Sequence, residues 1–277
     1  MPAGVIVRDR VWPIRGLAVG LGYSALFLIY APILGLIVLS FSQQPLSGVP
    51  WPLTLQWYRQ LFEGEPRWLA PSELSVGIAV AVALLSTAAA TLVGRVLPHL
   101  RRPSGVLSLF LVVLFLPGLV IGLAILLFYR ALLGITTGLW SILLAHFIWA
   151  FPFSLLCILL VAIRFDIRLL DAARDLGAGR WRRFVDIELP LLRPGITASL
   201  FFAFLLSFNE LPRTIYVHGA QVTLPYFLWT ESAAHSTQVA FVYALSAIIM
   251  LASVALTTAS FSLLLPAEKT EENGQRP

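Results

Sequence analysis

Apolar residues fall into six long runs, roughly 17–41, 74–97, 105–129, 138–163, 195–217 and 238–265, each closed by charge, proline or glycine. A helix rises ~1.5 Å per residue, so about 20 apolar residues cross a hydrocarbon core about 30 Å thick. The runs therefore predict six transmembrane helices and an all-α, polytopic membrane protein. Barrel strands would alternate polarity at every second residue over about ten residues, which these runs do not do.

Composition agrees with the pattern. Of 277 residues, 58% are hydrophobic and 12% charged, and the mean hydropathy is +0.87, far from a soluble domain. The formal charge of +5 does not point to nucleic acid, because the 19 basic residues sit in short clusters between apolar runs with no nucleic-acid motif. A single cysteine, Cys157, excludes disulfides within the chain, and His99, His146, His218 and His235 are too dispersed for a metal-ligand pattern. Arg8, Arg10 and Arg15 precede an apolar stretch longer than the ~7–15-residue core of a cleaved signal peptide, so the first span is expected to be retained.

The distribution of charge sets the orientation. Arg8, Arg10, Arg15, Arg95, Arg101, Arg102, Arg164, Arg168, Arg174, Arg180, Arg182, Arg183, Arg193, Lys269 and Arg276 fall on one side, and Arg59, Arg67, Arg130 and Arg213 on the other. Basic residues accumulate in cytoplasmic loops, so both termini are expected inside, as six spans require. The segment 1–16 and a disordered tail 266–277 would then flank a permease domain at 17–265. Trp51, Trp57 and Trp68 in the outer loop 42–73 suit the headgroup level, with Trp57 and Tyr58 expected as interface anchors.

The longest inner segment, 164–194, reads as a helix pair. Asp166 is placed to cap the first helix, and Ile167, Leu170, Ala173 and Leu176/Gly177 recur at helical spacing. Gly177 and Gly179 interrupt the pattern, a short helix around Trp181 follows, and Pro190 and Pro194 are expected to end it. Two roles remain open on these residues alone: a helix pair lying on anionic lipid, or a docking surface for another protein, which the small face of Ala172, Ala173 and Gly177 would suit.

Asp171-Ala172-Ala173, Gly177, Ile187, Leu189 and Pro190 resemble the signature Glu-Ala-Ala-x3-Gly-x9-Ile-x-Leu-Pro of ABC-importer permeases of the binding-protein-dependent class, with six of seven positions in agreement. Asp171 stands where the family has Glu. The resemblance implies the type I importer permease fold in a bacterial inner membrane. It also implies that Asp171, Ala172, Ala173, Gly177, Arg180, Ile187, Leu189 and Pro190 couple to separate ATPase subunits. Phe115-Leu116-Pro117-Gly118, the stretch 145–153 and Ser207-Phe208-Asn209-Glu210 are similar to the second permease of spermidine/putrescine importers, and neighbouring branches for other organic solutes or ferric iron share the pattern. Two ATPase subunits, a second permease and an extracytoplasmic binding protein are the implied partners.

The chain offers no nucleotide-hydrolysing site of its own. A P-loop needs Gly-x4-Gly-Lys-[Ser/Thr], and the one lysine, Lys269, follows Glu268. ATP and Mg are therefore expected on the partners. A membrane enzyme is the weaker reading: Ser47-Gly48 and Ser104-Gly105 do not complete Gly-x-Ser-Gly, Asp-Gly pairs are lacking, and there is no His-Glu-x2-His.

Polar residues inside spans are the candidates for a solute pathway, since an ionisable group there costs on the order of 2.5–3.5 kcal/mol on insertion scales. Glu210, beside Asn209 and Pro212, is open to two readings: a pathway carboxylate for a cationic solute, or half of an i, i+3 pair with Arg213. His146, Trp149 and Pro152 could line the pathway or fill the bundle, with Pro152 expected to kink its helix. Pro117-Gly118 could be a gating hinge or a packing notch, and 219–229 a re-entrant or interfacial segment at the outer gate.

Overall fold

The computed structural model describes residues 12–63, 66–164, 166, 168–234 and 239–264. Arg8, Arg10, Ile167, His235 and the tail 266–277 lie outside them, and the side chains of Arg15 and His99 are likewise not described. Among the described residues the chain is helical, and the sole extended pairing is one bridge between Ser42 and Leu53. Five helices have the length and composition to cross a membrane, and a bent helix pair makes a sixth.

Two compact units are distinguished: Met1–Glu65 with Glu231–Met250, and Pro66–Thr230 with Leu251–Pro277. In the first, α1 (Trp12–Leu39) is an uninterrupted apolar helix that presents most of its side chains outward. The following loop folds back on the end of α1 through α2 (Gln56–Phe62). Trp57 Nε1 donates to the Ser42 carbonyl at 2.8 Å, and Tyr58 Oη lies 2.6 Å from Ser40 Oγ. Trp57 and Tyr58 are thus not mere interface anchors: buried Ser40 and Ser42 need polar partners, and these two side chains supply them.

The second unit is organised by three helices: α3 (Leu69–Val96), α6 (Leu139–Ala162) and α9 (Leu189–Phe208). All three pack against one another. Small residues set the approach. A Cβ on Gly94 would lie 2.9 Å from Ile158 Cγ2, and one on Gly195 would lie 2.9 Å from the Cys157 carbonyl oxygen. Deeper in the bundle, Thr87 Oγ1 and Ser199 Oγ share a hydrogen bond of 2.7 Å between α3 and α9.

The third run is broken rather than straight. The helix α4 (Pro103–Leu111), extended by a tight turn at Val112–Phe115, meets α5 (Gly118–Leu126), which ends in a π turn at Leu127–Leu132, at a bend of 97°. Leu116 is extended with ψ 132°, the conformation a following proline imposes, and Pro117 has no N–H to continue the ladder. By contrast, α6 runs unbroken through Pro152.

The segment 168–208 also departs from expectation. After α7 (Arg168–Asp175), the helix begun at α8 (Arg180–Arg183) does not stop at Pro190 or Pro194 but continues to Phe208 as one 29-residue segment. A π turn at Phe184–Glu188 explains the continuity. Leu189 N–H bonds to the Phe184 carbonyl five residues back, so the register has already widened where Pro190 lacks its donor. The fifth run in turn ends its helix at Phe208, nine residues early. Residues 209–213 are non-helical, and α10 (Thr214–Val217), α11 (Leu224–Ala234) and α12 (Val239–Leu264) follow.

Candidate functional site

The break between α9 and α10 gathers the polar residues of the second unit. Glu210 and Arg213 are 4% and 3% exposed, and they pair: Arg213 Nη1 donates to Glu210 Oε1 at 2.9 Å, and the Arg213 backbone N–H to the same oxygen at 3.1 Å. The guanidinium also stacks on α6, with Cζ 4.1 Å from the centre of the Trp149 ring. It therefore sits between a carboxylate and an indole face, the two groups that best hold a desolvated cation. Arg213 Nε is buried without a hydrogen-bond partner. The i, i+3 pair is what forms, and Arg213 is buried in it.

His146 pins both sides of the break. Its Nδ1 lies 2.8 Å from Ser207 Oγ in the last turn of α9, and its Nε2 lies 2.8 Å from Thr214 Oγ1 at the start of α10. Thr214 gives its single proton to the Glu210 carbonyl at 3.0 Å, so its oxygen accepts from the imidazole Nε2–H, and Ser207 donates to Nδ1. Both ring nitrogens of this fully buried histidine are thereby satisfied. The α5 helix closes the site from the side of the broken span. Gly118 and Gly122 leave room for Arg213, whose carbonyl oxygen would lie 2.6 Å from a Cβ on Gly122. Of the other expected pathway residues, Asn209 is exposed and bonds back to the Leu205 carbonyl at 2.9 Å, and Pro117 is exposed at the bend.

The 219–229 segment is only partly at the surface. Thr223, Leu224 and Phe227 are buried, and Leu224 N–H donates to Ser75 Oγ of α3 at 2.7 Å. A helix start is so fixed to the bundle by a side chain that satisfies a free N–H.

The segment carrying α7 and α8 forms a sharply turned elbow. Asp166 Oδ1 accepts from Arg168 N–H at 3.0 Å, capping α7. At the other end Gly177 takes φ +81°, with Gly177 N–H on the Arg174 carbonyl and Ala178 N–H on the Ala173 carbonyl, both at 2.9 Å. This paired closure satisfies the last carbonyls of α7 and turns the chain sharply. Asp171, Ala172, Gly177, Arg180, Leu189 and Pro190 are exposed, and Ala173 and Ile187 half-buried. Leu176 at 89% and Trp181 at 74% exposure leave apolar surface on the elbow.

Residues 86–267 match the family described as binding-protein-dependent transport system inner membrane component. The chain belongs to this family. Among its relatives are the spermidine/putrescine transport system permease protein PotC of Shigella flexneri, 29% identical over 254 residues covering 89% of this chain and 92% of that protein. The putrescine transport system permease protein PotI of Escherichia coli K12 is 27% identical over 224 residues, 76% of this chain and 77% of that one. The molybdenum transport system permease protein ModB of the same strain is 40% identical over a shorter stretch of 91 residues, 31% of this chain and 40% of that one.

As an inner-membrane permease of a binding-protein-dependent system, the chain belongs to a transport family, and its multi-pass helices suit that place. Sequence reasoning left several site residues without a role. Thr214 was not singled out, although a threonine directly after Glu210-Leu-Pro-Arg, seven residues beyond Ser207, marks two polar positions flanking a helix break. Arg95 was counted only among the charges of one side, and Glu188 was given no role. They form a bidentate pair, Arg95 Nη2 to Glu188 Oε1 at 3.0 Å and Arg95 Nε to Glu188 Oε2. No sequence pattern relates residues 93 positions apart.

Proposed function

We propose that this chain is one of two permease subunits of an ATP-driven importer for polyamines or similar small cationic organic solutes. Its partners would be a second, related permease, two ATPase subunits that hold the ATP and Mg, and an extracytoplasmic binding protein. Both termini would be cytoplasmic, because that places the arginine-rich elbow inside. Asp171, Ala172, Ala173, Gly177, Arg180, Ile187, Leu189 and Pro190 would form or brace the docking elbow.

The observation that carries the solute class is the cage of Glu210 and Trp149 around a guanidinium. A carboxylate with an aromatic face is suited to an alkylammonium, and the relatives named for spermidine and putrescine point the same way. Arg213 would fill the cage in the resting state, and a solute amine would exchange with it, one cation replacing another. Such an exchange keeps Glu210 paired throughout, which a buried carboxylate requires. His146 would hold the break rigid, and Asn209 and Pro117 would border the opening.

A second reading rests on one atom. Arg213 Nε has no acceptor, and a buried guanidinium with a spare donor suits an anionic solute, in keeping with the molybdenum-named relative. Uptake by vesicles containing the assembled transporter, binding protein and ATP separates the two. Putrescine and spermidine should drive ATP turnover and accumulate. Stimulation by an oxyanion, with no response to either amine, would overturn the polyamine reading.

A further inference from the structure

We infer that the bidentate pair of Arg95 and Glu188 is the joint through which movement of the coupling elbow is passed into α3. This inference rests on the importer reading and adds to it a specific transmission element.

Arg95 lies in the last turn of α3 and Glu188 at the junction between the π turn and α9. Both guanidinium edge nitrogens used, Nε and Nη2, face the two carboxylate oxygens, so the pair fixes orientation as well as distance. The Phe184 ring lies beneath the guanidinium, 4.3 Å from Cζ, and holds it from the other side. Phe184 and Glu188 are the two ends of the π turn, so Arg95 clasps that turn as a unit. The side chains are 34% and 14% exposed, which leaves the contact partly shielded from water.

Packing joins α3 to the bundle as well, through Gly94 against Ile158, and the ion pair adds a fixed orientation to that contact. A cavity of about 640 Å³ lies beside the pair, lined by Arg95, Glu188, Leu92, Ile158, Leu192 and Leu170 of α7. Leu170 projects from the elbow into that space. At the rim of this cavity the Arg95–Glu188 pair ties the last turn of α3 to the π turn. A fork, a ring and a π turn meet at this one place, and the fork fixes orientation as well as distance. The wide turn is itself a form of helix irregularity that recurs at functional sites.

The test uses the complete transporter, permease pair with ATPase subunits, in vesicles with binding protein and putrescine. Arg95→Gln, Glu188→Gln and the double variant are compared for assembly, basal ATP hydrolysis and putrescine taken up per ATP. Each single variant should assemble, keep basal hydrolysis and lose about tenfold in uptake per ATP, with the double variant no worse than either single. Unchanged uptake per ATP in the singles, or losses that multiply in the double, would overturn the joint. If the glutamine variants do not assemble, Arg95→Lys decides: it keeps the charge but not the fork, so it should assemble uncoupled, and full coupling would overturn the inference. Failure of the unsubstituted chain to assemble with any ATPase would instead remove the importer reading, and the inference with it.

Discussion

The guanidinium of Arg213 lies against the face of Trp149, 4.1 Å from the ring centre, while one of its nitrogens holds Glu210 at 2.9 Å. One side chain thus links α6 to the turn that ends α9, and it does so with charge buried on both partners. Removing one partner leaves the other uncompensated, and that consequence sets the first expectation.

Glu210→Gln should destabilise the chain by about 3–5 kcal/mol, because Arg213 would remain buried without its counter-charge. The double variant Glu210→Gln, Arg213→Gln should regain most of that loss, read as the midpoint of thermal unfolding in detergent. Putrescine uptake should stay low in both. A double variant that regains uptake along with stability would make the pair structural and remove Glu210 from the pathway.

The fold was legible where chemistry repeats along the chain. Six apolar runs are visible because each fills a bilayer, and the elbow is visible because Asp166, Gly177 and the small residues between them are local stop and start signals. The irregular places were not. Pro117 lies in an apolar run and Pro190 near the end of the segment 164–194, yet the first stands at a 97° bend and the second leaves its helix unbroken. The difference lies in the π turn before Pro190, whose first residue, Phe184, packs on Arg95 of another helix, a contact that no local pattern reveals. Likewise Glu210 allowed two partners from sequence, and the choice depends on Gly118 and Gly122 admitting Arg213 beside it.

His146→Leu keeps volume but strips Ser207 and Thr214 of their shared partner. Two buried hydroxyls would lose hydrogen bonds, at about 1–3 kcal/mol each. Thermal unfolding should fall accordingly, and proteolysis should speed up between residues 208 and 214 as the two sides of the break separate. An unchanged cleavage rate there would show that the pin does not hold the break.

Gly177 should tolerate Asn better than Ala, although Ala is smaller. At φ +81° a Cβ meets no neighbouring atom, so the cost is purely of backbone conformation, about 1–2 kcal/mol for alanine and less for asparagine, which enters the left-handed region more readily. Co-purification with the ATPase should therefore weaken in the order Gly, Asn, Ala. Equal retention of all three would show that the sharp turn after α7 is not needed for docking.

Gly122→Ala probes the wall of the site without touching its charges. The new Cβ would lie 2.6 Å from the Arg213 carbonyl oxygen, and backbone on both sides leaves no flexible atom to yield. The α5 helix must move away from the 210–217 turn, at a cost of about 1–3 kcal/mol typical of overpacking. Since α5 follows the 97° bend, the displacement should open the bend rather than unfold the α3–α6–α9 bundle. Uptake of putrescine should fall while the helices of that bundle keep their protection in hydrogen exchange. Loss of protection throughout the bundle would mean that α5 supports the core itself.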